Sequence, residues 1–446
     1  MKVLFVSLGC DKNLVDSEYM LGILNKRGYE FTDDEREADV IVINTCCFIG
    51  DAKEESINTI LELGRLKTDE NEKCRALIVT GCLGQRYAEE IRREIPEVDA
   101  VIGTTAYDDI ASVIDEVLKG GNVHRLESVD RLPLPEEERI VSTGGHYSFL
   151  KIAEGCDKCC TYCIIPKIRG KYRSVPMERL IKEAEGLAAK GVKELIIVAQ
   201  ETTLYGTDIY GAKKLPELLK RLCEIEDLKW IRLQYCYPEE ITDELIRVIK
   251  EEKKICNYID MPIQHASDPV LKRMGRNTDR NEIENIIGRL RSEIPDIVIR
   301  TTLITGFPGE TDEDQDILAD FVGEMRFERL GVFAYSQEEG TAAALMPDQT
   351  DEEIRAERRD EIMELQQEIS FKKAEEMSGR ILDVLIEGRL ADEDIYVGRT
   401  YMDAPEVDGM IFVDTDHELM SGDFVRVKVT GANEYDLIGE LCYESA

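Results

Sequence analysis

Short apolar runs alternate with amphipathic helical patterns over residues 1–125. Strands that are apolar throughout and separated by such helices are typical of a parallel sheet covered by helices on both faces. The sequence therefore predicts a doubly wound α/β domain at the N-terminus. The predicted strands are Val3–Ser7, Asp39–Asn44, Ala76–Thr80 and Val98–Ile102, and the predicted helices are Leu14–Arg27, Ala52–Leu66, Gln85–Glu94 and Tyr107–Leu118.

A change of composition separates this domain from the next one. Paired glycines at 120–121 and 144–145, with Pro133 and Pro135 between them, interrupt both periodic patterns. Because glycine and proline punctuate regular structure, we expect residues 126–145 to be a linker.

The alternation of strands and helices restarts at residue 146. Six apolar runs with helical patterns between them predict a (β/α) barrel or partial barrel, whose chemistry lies at the C-terminal ends of the strands. The predicted strands are Phe149–Ala153, Glu194–Ala199, Trp230–Tyr235, Asn257–Met261, Val298–Ile304 and Leu330–Tyr335, and the predicted helices are Met177–Lys190, Lys214–Glu226, Glu239–Lys250, Asp279–Arg291 and Asp312–Met325.

The last part of the chain changes its pattern twice. Thr350–Met377 is predicted to be one long charged helix, which closes a central barrel domain over residues 146–376. Short β runs then predict a small antiparallel barrel over residues 379–446. That barrel has 16 acidic and 5 basic residues, so it is strongly negative.

Charge and cysteine content narrow the classes of function. The chain of 446 residues has a formal net charge of −36, whereas nucleic-acid binding leaves a basic footprint. No apolar run is long enough to span a membrane, and the apolar start is too short for a secretory signal. We therefore expect a cytoplasmic protein that neither enters membranes nor binds nucleic acid directly. Its 13 cysteines then indicate metal binding or catalysis rather than disulfides.

Three cysteines recur at one structural place in the N-terminal domain. Cys10, Cys46 and Cys82 each follow an apolar strand directly. Because the carboxyl ends of strands in an open α/β sheet line a common crevice, the three thiols are predicted to share a metal site. The alternative is three unrelated buried cysteines, since free cysteine is commonly buried.

Three further cysteines follow the first strand of the predicted barrel. Cys156, Cys160 and Cys163 have the spacing CxxxCxxC, and each thiolate can bind a different iron of one cubic cluster. With three protein ligands, one iron stays open to a small molecule. The competing interpretation, a zinc knuckle, needs four ligands. Cys159 lies in the same loop without a matching partner, so we interpret it as a bystander.

This loop resembles the CxxxCxΦC motif of the radical S-adenosylmethionine (SAM) enzymes, with Tyr162 at the aromatic position. The resemblance implies that the open iron holds the amino and carboxylate groups of SAM, and that one-electron reduction cleaves SAM to a 5′-deoxyadenosyl radical. Gln200, Gln264, Arg300 and Gly306 lie near the ends of predicted strands and are, with Tyr162, the expected SAM contacts.

Several neighbours of these residues have two open interpretations. The turn Gly306–Glu310 is either part of the SAM site or an ordinary turn between strand and helix. His265 is either a ligand contact or a packed histidine. The basic residues of the loop lie in a solvated segment or contact an anion; they are Lys167, Arg169, Lys171 and Arg173.

The rest of the chain resembles the radical SAM methylthiotransferase family. The strings SLGCDKNLVDSE, NTCCFIGDAKEES and TGCLGQRY are similar to its N-terminal domain, and EGCDKCCTYCIIPKIRGKYRS and RTTLITGFPGET to its radical domain. The acidic end is similar to its TRAM domain. The resemblance implies a second four-iron cluster at Cys10, Cys46 and Cys82 that carries the sulfur. One SAM then methylates that sulfur, and a second yields the radical that activates the target carbon.

Two substrates compete within this family. One branch, MiaB- and MtaB-like, modifies tRNA adenosines. The RimO-type branch modifies the β-carbon of an aspartate in the small-subunit ribosomal protein S-twelve, and SLGCDKNLVDSE resembles its pattern closely. The negative charge of the C-terminal barrel also favours a basic protein partner over RNA. We therefore expect the ribosomal protein as substrate and an electron donor such as a flavodoxin or ferredoxin. A non-enzymatic iron–sulfur carrier or sensor is the remaining alternative.

Overall fold

The computed structural model describes residues 1–68, 73–391 and 394–442. The chain divides into two compact units that are interleaved along the sequence. The predicted domain boundaries at residues 125, 145 and 376 stay a prediction. The first unit comprises Met1–Ser142, Ala153–Val175 and Ser336–Ala344, and the second comprises Thr143–Ile152, Pro176–Tyr335 and Leu345–Ala446.

A parallel sheet of six strands forms the centre of the first unit. Its order is β2-β1-β3-β4-β5-β6, and β3 and β4 are buried along their whole length, as their continuous apolar sequences predict. The doubly wound sheet is therefore confirmed. The strands are β1 (Lys2–Ser7), β2 (Glu30–Phe31), β3 (Val40–Thr45), β4 (Ala76–Gly81), β5 (Ala100–Ile102) and β6 (Val123–Arg125), and the helices are α1 (Asp11–Lys26), α2 (Gly50–Thr68), α3 (Cys82–Glu94) and α4 (Ile110–Val117), with single 3₁₀ turns at Glu35–Glu37 and Tyr107–Asp109.

The chain then passes once through the second unit before it returns to the first. Strand β7 (Tyr147–Lys151) belongs to the second unit. Strands β8 (Ala153–Glu154) and β9 (Arg173–Ser174) belong to the first unit and pair with each other in antiparallel fashion. The loop between them holds the short helix α5 (Ile165–Ile168) and the CxxxCxxC cysteines.

A second parallel sheet of six strands forms the central part of the second unit. Its order is β14-β13-β12-β11-β10-β7, and β7 and β14 are not joined to each other among the described residues. The predicted partial barrel is therefore confirmed. Reciprocal capping boxes at Asp279 and Thr311 begin two of its helices. The remaining strands are β10 (Glu194–Val198), β11 (Trp230–Leu233), β12 (Ile255–Asp260), β13 (Val298–Thr305) and β14 (Arg329–Ala334), and the helices are α6 (Met177–Ala189), α7 (Thr207–Tyr210), α8 (Leu215–Cys223), α9 (Asp243–Glu251), α10 (Asp268–Arg273), α11 (Arg280–Glu293) and α12 (Asp312–Met325), with a 3₁₀ turn at Pro238–Glu240. A further 3₁₀ turn, Ala343–Leu345, begins in the last segment of the first unit.

The long charged helix and the small barrel complete the second unit. Helix α13 (Glu352–Glu375) is somewhat shorter than the segment predicted. Five strands then close in the order β15-β16-β17-β19-β18. The predicted barrel is confirmed, although β17 and β19 pair in parallel. The strands are β15 (Ile381–Arg389), β16 (Ile395–Arg399), β17 (Ile411–Asp414), β18 (Phe424–Ala432) and β19 (Leu437–Leu441).

Buried ion pairs join the small barrel to the N-terminal ends of the central strands. Glu194, the first residue of β10, contacts Arg232 and Arg399, each at 2.7 Å. Arg329, the first residue of β14, pairs with Asp403. The C-terminal ends of the central strands are at the opposite end of this sheet. No helix within the described ranges is both long and apolar enough to cross a membrane.

Candidate active site

The structure brings Cys10, Cys46 and Cys82 together at one edge of the first sheet. They follow β1, β3 and β4, which are adjacent strands. The backbone before Cys10 approaches Cys46 so closely that a Cβ on Gly9 would lie 2.6 Å from the Cys46 Cβ. Gly9 also has a φ of +90°, which glycine adopts without strain. A glycine is therefore needed for two of the three cysteine loops to meet.

Side-chain amides hold these loops in place. The Asn13 side chain donates to the carbonyl oxygens of Leu8 (3.0 Å) and Thr45 (2.9 Å). The Asn44 side chain donates to the Asn13 carbonyl (2.9 Å) and to the Ser17 hydroxyl (2.8 Å). The polar residues around Cys10 and Cys46 thus tie the two loops to helix α1.

The three thiols fit an iron–sulfur cluster by their chemistry. Burial, together with the nearby sulfurs of Cys82 and Cys10, raises the pKa of Cys46 to about 12. Thiolates at these positions therefore need a cationic group, which bound iron supplies. No group of three or more His, Cys, Asp or Glu residues in the described ranges converges on a single ion. A cubic cluster does not require this, because each cysteine binds a different iron.

A buried arginine lies beside the third of these cysteines. Arg169 comes from the loop after Cys163, and its guanidinium contacts the Cys82 sulfur at 3.6 Å. Asp16 and Glu154 accept from the same side chain at 2.7 Å and 3.0 Å. Although burial opposes its charge, Glu154, Cys82 and Asp16 raise the pKa of Arg169 well above its usual value. Arg169 is therefore an internal cation and does not lie in a solvated segment, whereas Lys171 is exposed.

The sequence contained a partial signal for this contact. Asn13 and Asp16 are three positions apart on α1 and therefore lie on the same helix face. No pattern in the neighbouring sequence links that helix face to Arg169, which lies about 150 positions later in the chain.

The second set of cysteines lies in the loop between β8 and β9. Cys156 and Cys160 are buried, and Cys159 is exposed. Burial raises the pKa of Cys163, and the sulfurs of Cys160 and Cys156 act in the same direction. The three thiols of this loop therefore lie near enough to influence one another, and their role as cluster ligands stays a prediction. Half-buried Tyr162 stands between two of them in the sequence.

Backbone hydrogen bonds shape this loop. The Cys156 amide donates to the Gly170 carbonyl at 3.1 Å, and the Cys163 amide donates to the Cys160 carbonyl at 3.0 Å. Gly155 has a φ of +78°, and a Cβ there would lie 2.2 Å from the Lys171 carbonyl oxygen. The glycine before Cys156 thus lets both ends of the loop approach each other.

No motif in the sequence marks Ser336–Ala344 as part of this region. The Ala343 amide donates to the Thr161 carbonyl at 2.8 Å, and Lys167 donates to the Gly340 carbonyl at 2.6 Å. Arg86 of α3 pairs with Glu338 at 2.8 Å. One short segment therefore contacts both the CxxxCxxC loop and the helix that begins at Cys82.

In the second unit, two residues near the C-terminal ends of adjacent strands have unusual backbone conformations. Tyr235 follows β11 with a φ of +60°, and Gln264 follows β12 with a φ of +75°. Residues other than glycine rarely adopt this region, and such strained positions are enriched at functional sites. Gln264 also pairs with β13, because its backbone amide donates to the Thr302 carbonyl at 2.9 Å. Gln200 and Glu201 follow β10 at the same end of the sheet.

The turn Gly306–Glu310 is held by its own carboxylate. Glu310 accepts from the amides of Gly306 (3.0 Å) and Phe307 (2.9 Å). Burial opposes the charge of Glu310, but His265 and these amides lower its pKa. His265 is fully buried and accepts from the Ser267 amide at 2.9 Å. These contacts favour the interpretation of His265 as a packed residue.

Arg300 lies away from the end of its strand. It is the third of eight residues in β13, and its guanidinium pairs with Asp260 at 2.9 Å and Asp408 at 3.3 Å. Two carboxylates thus neutralise this cation within the second unit. The SAM contacts of Arg300, Tyr162, Gln200, Gln264 and Gly306 stay predictions.

Three family models match the chain in the order of its folded parts. The model described as uncharacterized protein family UPF0004 matches residues 2–103. The radical SAM superfamily matches residues 150–322, and the TRAM domain matches residues 379–442. The radical S-adenosylmethionine methyltransferase TsrM from Kitasatospora setae shares the fold, with a TM-score of 0.55 and 14% identity over 88% of this chain and 81% of that chain. The fold and the cysteine loop thus define a radical SAM protein.

Full-length relatives narrow this class. The chain is 64% identical over 439 residues to the ribosomal protein uS12 methylthiotransferase RimO of Lachnoclostridium phytofermentans, covering 98% of this chain and 99% of the relative. It is 52% identical to the protein of the same name from Acetivibrio thermocellus, covering 100% of this chain and 99% of that one. The chain therefore belongs to the RimO family of radical SAM methylthiotransferases. This membership confirms the predicted enzyme class and its cofactors, SAM and two four-iron clusters.

Proposed function

We propose that this protein attaches a methylthio group to the β-carbon of an aspartate in ribosomal protein uS12. The observation that carries the proposal is the grouping of both cysteine sets, at 10, 46 and 82 and at 156, 160 and 163, within one compact unit. Sulfur transfer to an unactivated carbon needs a sulfur carrier and a radical source that act on one substrate. Relatives that are 50–64% identical over nearly the whole chain have the name of this activity.

In this proposal each set of cysteines holds one cluster. Cys156, Cys160 and Cys163 hold the cluster that binds SAM, and Cys10, Cys46 and Cys82 hold the cluster that carries sulfur. When bound, these groups supply a methyl group, an electron, a sulfur carrier and the chemistry that removes a hydrogen atom from carbon.

The surrounding residues position these ligands and limit the access of water. Cys46 and Cys82 are only 6% and 5% exposed, so their side of the site is protected from solvent, whereas Cys10 is exposed. Gln200, Gln264, Arg300, Gly306 and Tyr162 are the proposed SAM contacts.

The C-terminal barrel supports a basic protein as substrate. Among its described residues, most of the acidic side chains are on the outer surface. A basic ribosomal protein is attracted to such a surface, whereas RNA is repelled by it. We therefore propose binding of uS12 without direct nucleic-acid contact, an electron donor such as a flavodoxin or ferredoxin, and a location in the cytoplasm. The exposed acidic residues are Asp383, Asp394, Glu406, Asp414, Asp416, Glu418, Glu434 and Glu440.

Mass spectrometry of both substrate classes tests the proposal. Purified uS12 and tRNA are each incubated with reconstituted protein, SAM and a reductant. We expect one methylthio group in place of one hydrogen on a uS12 aspartate and no change in tRNA. Modification of tRNA alone would overturn the substrate assignment, and cleavage of SAM without transfer to either would overturn the activity. A Cys10→Ala variant in parallel links transfer to the N-terminal cysteines.

A further inference from the structure

Arg169 connects three parts of the first unit through one guanidinium group. Its partners are the Asn13 and Asp16 side chains of α1, the Cys82 sulfur at the start of α3, and Glu154 in β8. The side chain is 2% exposed. Glu154 lies two positions before Cys156. The same side chain therefore contacts a cysteine of the first set and the strand that leads into the loop of the second.

The two terminal nitrogens of Arg169 have different partners. Nη1 donates to the carboxylates of Asp16 (2.7 Å) and Glu154 (3.0 Å). Nη2 donates to the Asn13 side-chain oxygen and faces the Cys82 sulfur at 3.6 Å. Because the guanidinium is planar, the carboxylates on one nitrogen fix the direction of the other. An arginine that only neutralised carboxylates would not need a donor aimed at sulfur.

We propose that Arg169 is a positioning residue of the N-terminal cluster, which donates a hydrogen bond to the Cys82 thiolate and thereby raises the reduction potential of that cluster. The inference rests on the proposed role of Cys10, Cys46 and Cys82 as cluster ligands. Reduction adds one electron from an external reductant, so the negative charge of the cluster and its thiolates increases by one. A fixed cation and a hydrogen bond to sulfur stabilise the reduced form more than the oxidised form.

The carboxylate partners of Arg169 should have the opposite influence. Asp16 is buried and lies against the guanidinium, so its negative charge offsets part of the positive charge near Cys82. Replacing Asp16 with asparagine keeps the shape of the side chain and removes that charge. The potential of the cluster should then rise, whereas replacing Arg169 with glutamine should lower it. A purely structural role predicts no such pair of opposite shifts.

The experiment uses the full-length chain with Cys156, Cys160 and Cys163 all changed to alanine, so that only the N-terminal cluster assembles. After anaerobic reconstitution, iron and sulfide are measured, and the cluster is titrated with reductant and followed by electron paramagnetic resonance. In this background, Arg169→Gln should lower the equilibrium constant for reduction about tenfold, which is ~59 mV for a one-electron couple. Arg169→Lys should restore part of the shift, and Asp16→Asn should move the potential upward.

Arg139→Gln is the matched control. Arg139 is also buried in the first unit, and it pairs at 2.5 Å with Glu18, which lies on helix α1 as Asp16 does. It should leave the potential unchanged, although it disturbs a comparable ion pair.

Each outcome decides a separate point. An unchanged potential in Arg169→Gln at full iron content would overturn the inference and leave the proposed function standing. Absence of any cluster in the background variant would overturn both. If Arg169→Gln does not assemble a cluster, Asp16→Asn decides: an upward shift supports the inference, and an unchanged or lower potential overturns it.

Discussion

Two buried arginines, Arg169 in the first unit and Arg232 in the second, show how the same side chain serves different purposes. Arg232 donates to the Glu194 carboxylate at 2.7 Å and to the carbonyl oxygens of Tyr401 (2.7 Å) and Thr400 (3.3 Å). All of these acceptors are oxygens of the protein, and together they fasten the small barrel to the central sheet. Arg169 has a sulfur among its partners. Within the described residues, only Arg169 of the two donates a hydrogen bond to a sulfur, although the Cys256 thiol also lies near Arg232. The hydrogen-bond acceptor, and not the presence of a cysteine nearby, therefore separates the two arginines.

The largest expected effect comes from removing the sulfurs themselves. Cys82→Ala should abolish methylthio transfer and lower the iron content by about half, while cleavage of SAM persists, because the other cluster is intact. Cys156→Ala should abolish SAM cleavage. Iron analysis and chromatographic detection of the SAM cleavage product measure both effects.

Cys159→Ala is the control for these variants, because Cys159 lies in the same loop but is exposed. It should keep its full iron content. A loss of iron equal to that in Cys160→Ala would show that the ligand set of the loop is wrong.

The next largest effect is expected for the buried ion pairs around Arg232, which attach the small barrel to the central sheet. Glu194→Gln leaves two buried guanidinium groups, those of Arg232 and Arg399, without their shared carboxylate. We expect the free energy of unfolding to fall by about 3–5 kcal/mol, because an uncompensated buried charge remains. Urea denaturation followed by circular dichroism measures the change.

Glu217→Gln removes one partner of the exposed pair with Lys214 and should give no measurable change. Equal destabilisation by the two variants would contradict the structural role of the buried ion pairs of Glu194.

Acidification should weaken the same buried ion pairs of Glu194. Burial alone would raise the pKa of Glu194, but Arg399 and Arg232 lower it below its usual value of 4.5. The Glu194 carboxylate therefore stabilises the fold fully above about pH 4.5, and this stabilisation is lost as the pH falls through the lower folded-state pKa. Denaturation measured over a series of pH values should show a smaller acid dependence in Glu194→Gln than in the wild type. An identical pH dependence in the two proteins would show that Glu194 does not contribute to the acid sensitivity.

The smallest effect is expected at the periphery of the contact between the small barrel and the central sheet. The Tyr147 hydroxyl donates to Glu406 at 3.2 Å, and Glu406 is exposed to solvent. Tyr147→Phe should lower the free energy of unfolding by about 1 kcal/mol, since one hydrogen bond is lost and the ring remains. This loss should be much smaller than that of Glu194→Gln. A loss of similar size would mean that the edge contributes as much as the buried centre.

Much of the fold was predictable because its signals are local. Asp39–Asn44 and Ala76–Thr80 were recognisable as strands, since buried parallel strands are apolar throughout. Strands β2 and β6 were missed. They have two and three residues, which is too short for any periodic pattern, and only pairing with a neighbouring strand defines them.

The cysteine site was predictable only in part. The positions of Cys10, Cys46 and Cys82 directly after strands were sufficient to bring them to one edge, because adjacent parallel strands end at the same side of a sheet. The role of Arg169 was not predictable in this way. The nearest basic residues in the sequence, Lys167 and Lys171, are exposed, and the acceptors of Arg169 come from α1, α3 and β8.

The two cysteine motifs, the order of the folded parts and the charge of the C-terminal barrel were therefore predictable, because each depends on residues near one another in the chain. Three features became visible only in the folded chain: the loop of Cys156 belongs to the first unit, Ser336–Ala344 contacts it, and Arg169 faces Cys82. These contacts join residues far apart in sequence. They form when separate elements pack together and buried polar groups must find partners.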